Sequence, residues 1–76
     1  MVTAYVMVKA NTGEADRLKN SILDLDGVVD AHIVAGDVDI IAKLDVDSPA
    51  DVKGIAANGI QSIEGVEGTQ TYIAMD

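Results

Sequence analysis

The chain switches twice between a strand-like and a helix-like spacing of its apolar residues. Residues 2–10, VTAYVMVKA, alternate: Ala4, Val6, Val8 and Ala10 share one face and Tyr5, Met7 and Lys9 the other, which predicts a β-strand. The next apolar positions, Ala15, Leu18, Ile22 and Leu25, recur at helical spacing and predict an amphipathic helix. NTGE supplies its start, either with Asn11 as the cap and Glu14 three residues on, or with Thr12 capping alone. Gly27 ends the helix where a left-handed backbone suits glycine. A second strand is predicted over residues 28–35, a reversal at Gly36-Asp37, and a third strand over 38–46 with Val38, Ile40, Ala42, Leu44 and Val46 on one face.

Ser48-Pro49-Ala50-Asp51 is a second helix start, with serine as the cap, proline at the first helical position and an acid three residues after the cap. Its stripe is Val52, Ile55, Ala56, Ile60 and Ile63. Gly54 and Gly59 weaken it by up to ~1 kcal/mol each relative to alanine, so packing must hold it. Gly65 stops it, and residues 67–75 form a last strand with Thr69, Thr71, Ile73 and Met75 on one face.

The order is β-α-β-β-α-β, and it repeats internally. Gly27-Val28 recurs as Gly65-Val66, an offset of 38 (65 − 27), and the same offset pairs Leu18 with Ala56, Ile22 with Ile60, and Val8 with Val46. Two similar βαβ halves predict an α+β, ferredoxin-like sandwich: a four-stranded antiparallel sheet with both helices on one face, in a single domain over residues 1–76. Tyr5, Met7 and Ile41 then lie on the bare face with Lys9 and Lys43. A half-apolar face on so small a domain predicts a homodimer stacked sheet to sheet, with Tyr5 and Tyr72 packing at the interface.

Charge and composition narrow the function. Thirteen acidic residues against five basic ones give a formal charge of −8. Direct binding to nucleic acid or an anionic membrane needs a basic patch, so neither is expected. The apolar content of 49% argues against disorder. Acids gather at helix ends and turns with few lysines, a surface favoured in a salt-loaded cytoplasm, so a halophilic source is expected over an ordinary acidic domain. The sequence has no cysteine, which leaves no disulfide or thiolate metal site and suits a reducing cytoplasm. No apolar run approaches the ~20 residues that span a bilayer, and the first residues lack a basic leader, so a soluble cytoplasmic protein is expected.

Candidate chemistry is sparse. Asp37 and Asp39 in VAGDVDII are either a solvated turn or carboxylates that, with nearby backbone amides, hold something small. His32 is the sole histidine and reads as a surface or structural residue. The acids Asp24, Asp26 and Asp30, and likewise Asp45, Asp47 and Asp51, lack the glycine-punctuated loop of an EF-hand and read as solvated surface, so no metal and no cofactor are expected.

Taken together, the GDVD turn, the apolar strand IIAKLDV, the capped helix and then IEGVEGTQTYIAM, with GV leading into T-x-T, resemble the effector-binding RAM domain at the C-terminus of Lrp/AsnC transcriptional regulators. The similarity covers essentially the whole chain. It implies a module, regulatory in transcription, that binds a free amino acid between dimers in a ring-like assembly. By that resemblance the effector sits against Gly36, Asp37, Val38 and Asp39, with Thr69 and Thr71 near the last strand. A carboxylate would accept from the ammonium of a zwitterion, and amides and threonine hydroxyls would donate to its carboxylate. Val38 stands where relatives commonly carry an aromatic residue. The chain opens directly on the first strand, without the family's helix-turn-helix, which implies a stand-alone form that co-assembles with full-length Lrp/AsnC regulators and does not bind DNA itself.

Two other classes compete. One is an enzyme of the dimeric α+β-barrel type, against which stand one histidine, two tyrosines and no evident base–nucleophile pair, so no enzyme is expected. The other is a ligand-free assembly module, in which the turn and the threonines only make subunit contacts. The ACT domain, another ferredoxin-like amino-acid binder, places its ligand after the first strand, where NTGE here reads better as a helix cap.

Overall fold

The computed structural model describes residues 1–76, with the side chain of Thr12 outside the described set. Strand β1 (Val2–Ala10) leads through a 3₁₀ turn (Thr12–Glu14) into helix α1 (Ala15–Leu23); β2 (Val28–Ile33) and β3 (Ile40–Val46) follow, then helix α2 (Pro49–Lys53), which runs on as a π-helical segment (Gly54–Ile60), and β4 (Val66–Ile73). The antiparallel sheet has the order β2-β3-β1-β4. This is the expected ferredoxin-like α+β sandwich, with β1 and β3 central and β2 and β4 at the edges.

Alternation decides what is buried. Ala4, Val6, Val8 and Ala10 of β1 and Ile40, Ala42 and Leu44 of β3 form one core with Leu18 and Ile22 of α1 and with Val52, Ala56 and Ile60 of the second helix. Among the described residues no polar or charged residue is buried. Alanine and valine make up most of this core.

Asn11 caps the 3₁₀ turn that leads into α1, its side chain accepting from the Gly13 N–H at 3.3 Å, while Glu14 at the start of α1 itself makes no side-chain cap bond; Thr12 as an alternative cap falls outside the described side chains. Glu14 pairs instead with Arg17, which also donates to the Glu64 carbonyl at 2.9 Å and so ties α1 to the segment entering β4. The second helix departs from expectation. Beyond Lys53 it widens, and the Gln61 N–H closes on the Ala56 carbonyl at 3.1 Å, five residues back. Gly54 and Gly59 hold α-helical winding weakly, and the buried side chains Val52, Ala56 and Ile60 fall four apart, a spacing that a wider turn keeps on one face.

The second correction concerns the reversal between β2 and β3. The pattern predicts strands over 28–35 and 38–46 around a tight turn; the ladder ends at Ile33↔Ile40, and residues 34–39 form a loop closed by the Val34 N–H on the Asp39 carbonyl at 2.9 Å. The Asp39 N–H turns to the Val8 carbonyl of β1, also at 2.9 Å, which takes this end of the chain out of the β2–β3 ladder. The last strand likewise ends at Ile73 and not at residue 75.

Gly27 and Gly65, equivalent in the repeat, carry φ of 96° and 105°. A Cβ at Gly27 would meet Ile55 Cδ1 at 2.5 Å and Val46 Cγ1 at 3.0 Å, so glycine is needed there for both backbone and space. Gly36 has neither constraint: its φ is not positive, and an added Cβ meets nothing within 4 Å. Gly27→Ala is therefore expected to cost about 2–4 kcal/mol, from left-handed strain and overpacking together. Gly36→Ala should stay within about 0.5 kcal/mol of the parent in urea unfolding.

Candidate functional site

The loop of residues 34–39 is stapled to the end of β1. Val8↔Ile40 is the last β1–β3 pair, so the Ala10 N–H lies past the end of the β3 ladder and needs another acceptor. The Asp39 carboxylate supplies it, Oδ2 accepting from Ala10 N at 2.9 Å. With the Asp39 N–H on Val8 and Lys9 Nζ donating to the Asp37 carbonyl at 3.1 Å, three hydrogen bonds fix the loop against one strand. Asp39 thus has an internal task, while the exposed Asp37 carboxylate takes part in no ion pair among the described residues.

Beside the loop, on the helix-free face, lies a depression of about 420 Å³ lined by Met7, Lys9, Asp37, Val38, Gly68, Thr69 and Gln70. The β1–β4 register builds it, since Met7↔Gln70 and Lys9↔Gly68 are cross-strand partners and Gly68 adds no side chain.

The candidate residues divide around this hollow. Asp37, Val38 and Thr69 line it, while Gly36 and Asp39 do not. The same register sets Thr69 opposite Val8 and Thr71 opposite Val6, on the helix side of β4. Thr69 Oγ1 accepts from Gln61 Nε2 at 2.7 Å there. Thr71 lines a separate groove of about 350 Å³ between β4 and the second helix, with Val52, Lys53, Ala56, Gln61 and Ile73. Within one protomer, then, the turn and Thr71 do not meet. Met7, Lys9, Gly68 and Gln70 are the lining residues that sequence reading missed. The alternation of β1 places Met7 and Lys9 on the open face, but only the register brings them to the loop.

The other polar features have local explanations. His32 Nε2 lies 3.0 Å from Asp30 Oδ2, both side chains mostly exposed. That hydrogen bond, helped by the Ala31 N–H and opposed by desolvation, holds the Asp30 carboxyl below its ordinary range. Asp45 accepts from the Thr3 hydroxyl at 2.6 Å. Among the described residues no three acidic or histidine side chains come together as a metal-holding group, and no helix is long and apolar enough to cross a membrane.

Such a βαββαβ fold, with an open sheet face and a loop clipped to its first strand, defines a small ferredoxin-like module. Residues 3–76 match the family model of the Lrp/AsnC ligand binding domain, and the chain belongs to that family. The transcriptional regulator FL11 of Pyrococcus furiosus is 24% identical over 74 residues, a match that covers 97% of this chain and 48% of FL11. The chain thus spans about half the length of that curated relative. Among solved structures, TTHA0845 of Thermus thermophilus superposes with a TM-score of 0.95 at 29% identity, covering 100% of this chain and 95% of that one. More distantly, a Neisseria meningitidis transcriptional regulator solved in complex with L-Met shares the fold with a TM-score of 0.86 at 14% identity, covering 99% of this chain and 50% of that one.

Removing the staple tests the loop's construction. Asp39→Ala leaves the part-buried Ala10 N–H without its acceptor and is expected to cost about 1–3 kcal/mol in urea unfolding. Asp39→Asn, which keeps a carbonyl oxygen, should recover most of the loss.

Proposed function

We propose that the chain is an amino-acid effector-binding, oligomerising module of transcriptional regulation, without catalysis of its own. The observation that carries this reading is the loop of residues 34–39. It is fixed to β1 by its own hydrogen bonds, and it holds Asp37, a carboxylate in no ion pair among the described residues, beside a hollow of about 420 Å³. Binding sites are commonly such concavities, with a few fixed polar groups over an apolar floor. Family membership supplies the class of activity, and the L-Met complex of the distant Neisseria regulator supports an amino acid as the ligand.

In this reading Gly36, Asp37 and Val38 contact the effector directly, and Asp39 holds them in place. Thr69 borders the hollow through β4, and Thr71 reaches an effector only in an assembly that sets one protomer's β4 groove against another's loop. The open face favours pairing of two sheets, with Tyr5 opposite Tyr72 and with exposures of 37% and 51% that leave apolar area to cover. A ring of such dimers, and co-assembly with full-length Lrp/AsnC regulators in the cytoplasm, complete the proposal. The formal charge of −8 argues that DNA contact belongs to a partner.

Thermal unfolding in concentrated potassium chloride against the free amino acids tests this. An effector at 100 times its dissociation constant stabilises the folded state by about 2.7 kcal/mol per site. A selective rise in Tm that is lost in Asp37→Ala supports the sensor. The absence of any shift across the panel sinks it and leaves the loop as a subunit contact.

A further inference from the structure

We infer that Lys9 is the carboxylate anchor of this site and that the site selects α-amino acids with uncharged side chains; the inference rests on the effector-binding reading above. A zwitterion needs donors for its carboxylate. The threonines are poorly placed to give them, since Thr69 and Thr71 both stand on the helix side of β4, where Thr69 Oγ1 accepts from Gln61 at 2.7 Å and Thr71 lines the groove beneath the second helix.

Among the described residues Lys9 is the one cation lining the hollow. Its ammonium group has three donors, and the contact to the Asp37 carbonyl at 3.1 Å uses one of them. That contact also holds the ammonium group beside the loop, so a ligand carboxylate meets a charge already positioned. Asp37 is the one acid in the lining and is left to accept from the ligand's ammonium group. The two α-groups of the ligand therefore use both charges of the site.

Selectivity follows from what remains. Met7, Val38, Gly68, Thr69 and Gln70 carry no charge, so a ligand side chain bearing its own charge finds no opposite charge. A medium-sized apolar or amide side chain can lie against Met7, Val38 and the Gln70 amide. Ligands without the α-carboxylate lose the contact to Lys9, and ligands with a blocked amine lose the contact to Asp37.

The test is calorimetric titration of the parent, Lys9→Met and Lys9→Arg proteins with L-methionine, L-leucine and L-glutamine, with their α-amides, and with L-lysine and L-glutamate. The parent should bind at least one neutral amino acid tenfold or more tightly than its amide, and should bind lysine and glutamate at least tenfold more weakly. Lys9→Met keeps the apolar stem of an exposed residue and should reduce the preference for acid over amide to less than threefold, while Lys9→Arg should restore most of it. Unchanged binding of the free acid by Lys9→Met overturns the role of Lys9 and leaves the effector reading standing. Tighter binding of lysine or glutamate than of the neutral amino acids overturns the selectivity. Failure of the parent to bind any of these amino acids overturns this inference, and the effector reading falls with it only when the full panel of free amino acids also gives no rise in Tm.

Discussion

Two short helices can cover only one face of a four-stranded sheet, and most of this molecule's character follows from that limit. The covered side takes every large, fully buried side chain, among them Leu18, Ile22, Ile40, Leu44 and Ile60. The other side runs in mixed rows, His32–Ile41–Met7–Gln70 and Asp30–Lys43–Tyr5–Tyr72, neither polar enough to be plain surface nor apolar enough to be core. A chain of 76 residues has little buried area in reserve, so covering this face would add the most apolar contact. The hollow at its loop end lies on this face.

Asp39 connects the fold to the site. The extension of β1 beyond β3 leaves the Ala10 N–H without a ladder partner, and a carboxylate from the loop satisfies it. The same extension carries Lys9 alongside the loop, where it holds the Asp37 carbonyl. One local mismatch in strand length thus creates a need for a loop acid and sets a cation next to a second acid. The pair Asp37 and Asp39, two residues apart, divides two tasks: one holds the loop and the other faces outward.

The repeat and the Ser48 cap of the second helix were legible because each expresses a local rule, whereas the helices end at Leu23 and Ile60, short of Gly27 and Gly65, the glycines expected to stop them. Alternation marks β1, helical spacing marks α1, and positive φ marks Gly27 and Gly65. The loop was hidden for the same kind of reason. Val38 continues the period of Ile40, Ala42 and Leu44, so pattern alone extends β3, whereas the hydrogen bonds of Asp39 to β1 end the ladder. Gly54 and Gly59 marked the second helix as weak, but the widening that closes Gln61 on Ala56 was not legible in the pattern. The faces of Thr69 and Thr71, and the closeness of Lys9 to the loop, depend on strand register, which comes from contacts distant in sequence.

We propose that the loop of residues 34–39 and the adjoining strand ends form a ligand site on the open face. Amide chemical-shift mapping during titration with a mixture of neutral L-amino acids tests it most directly. Saturable shifts are expected at residues 36–39, at Lys9 and at 68–70. Shifts centred on the acid-rimmed hollow around Asp26, Asp47 and Asp51, or no saturable shift at all, would contradict it.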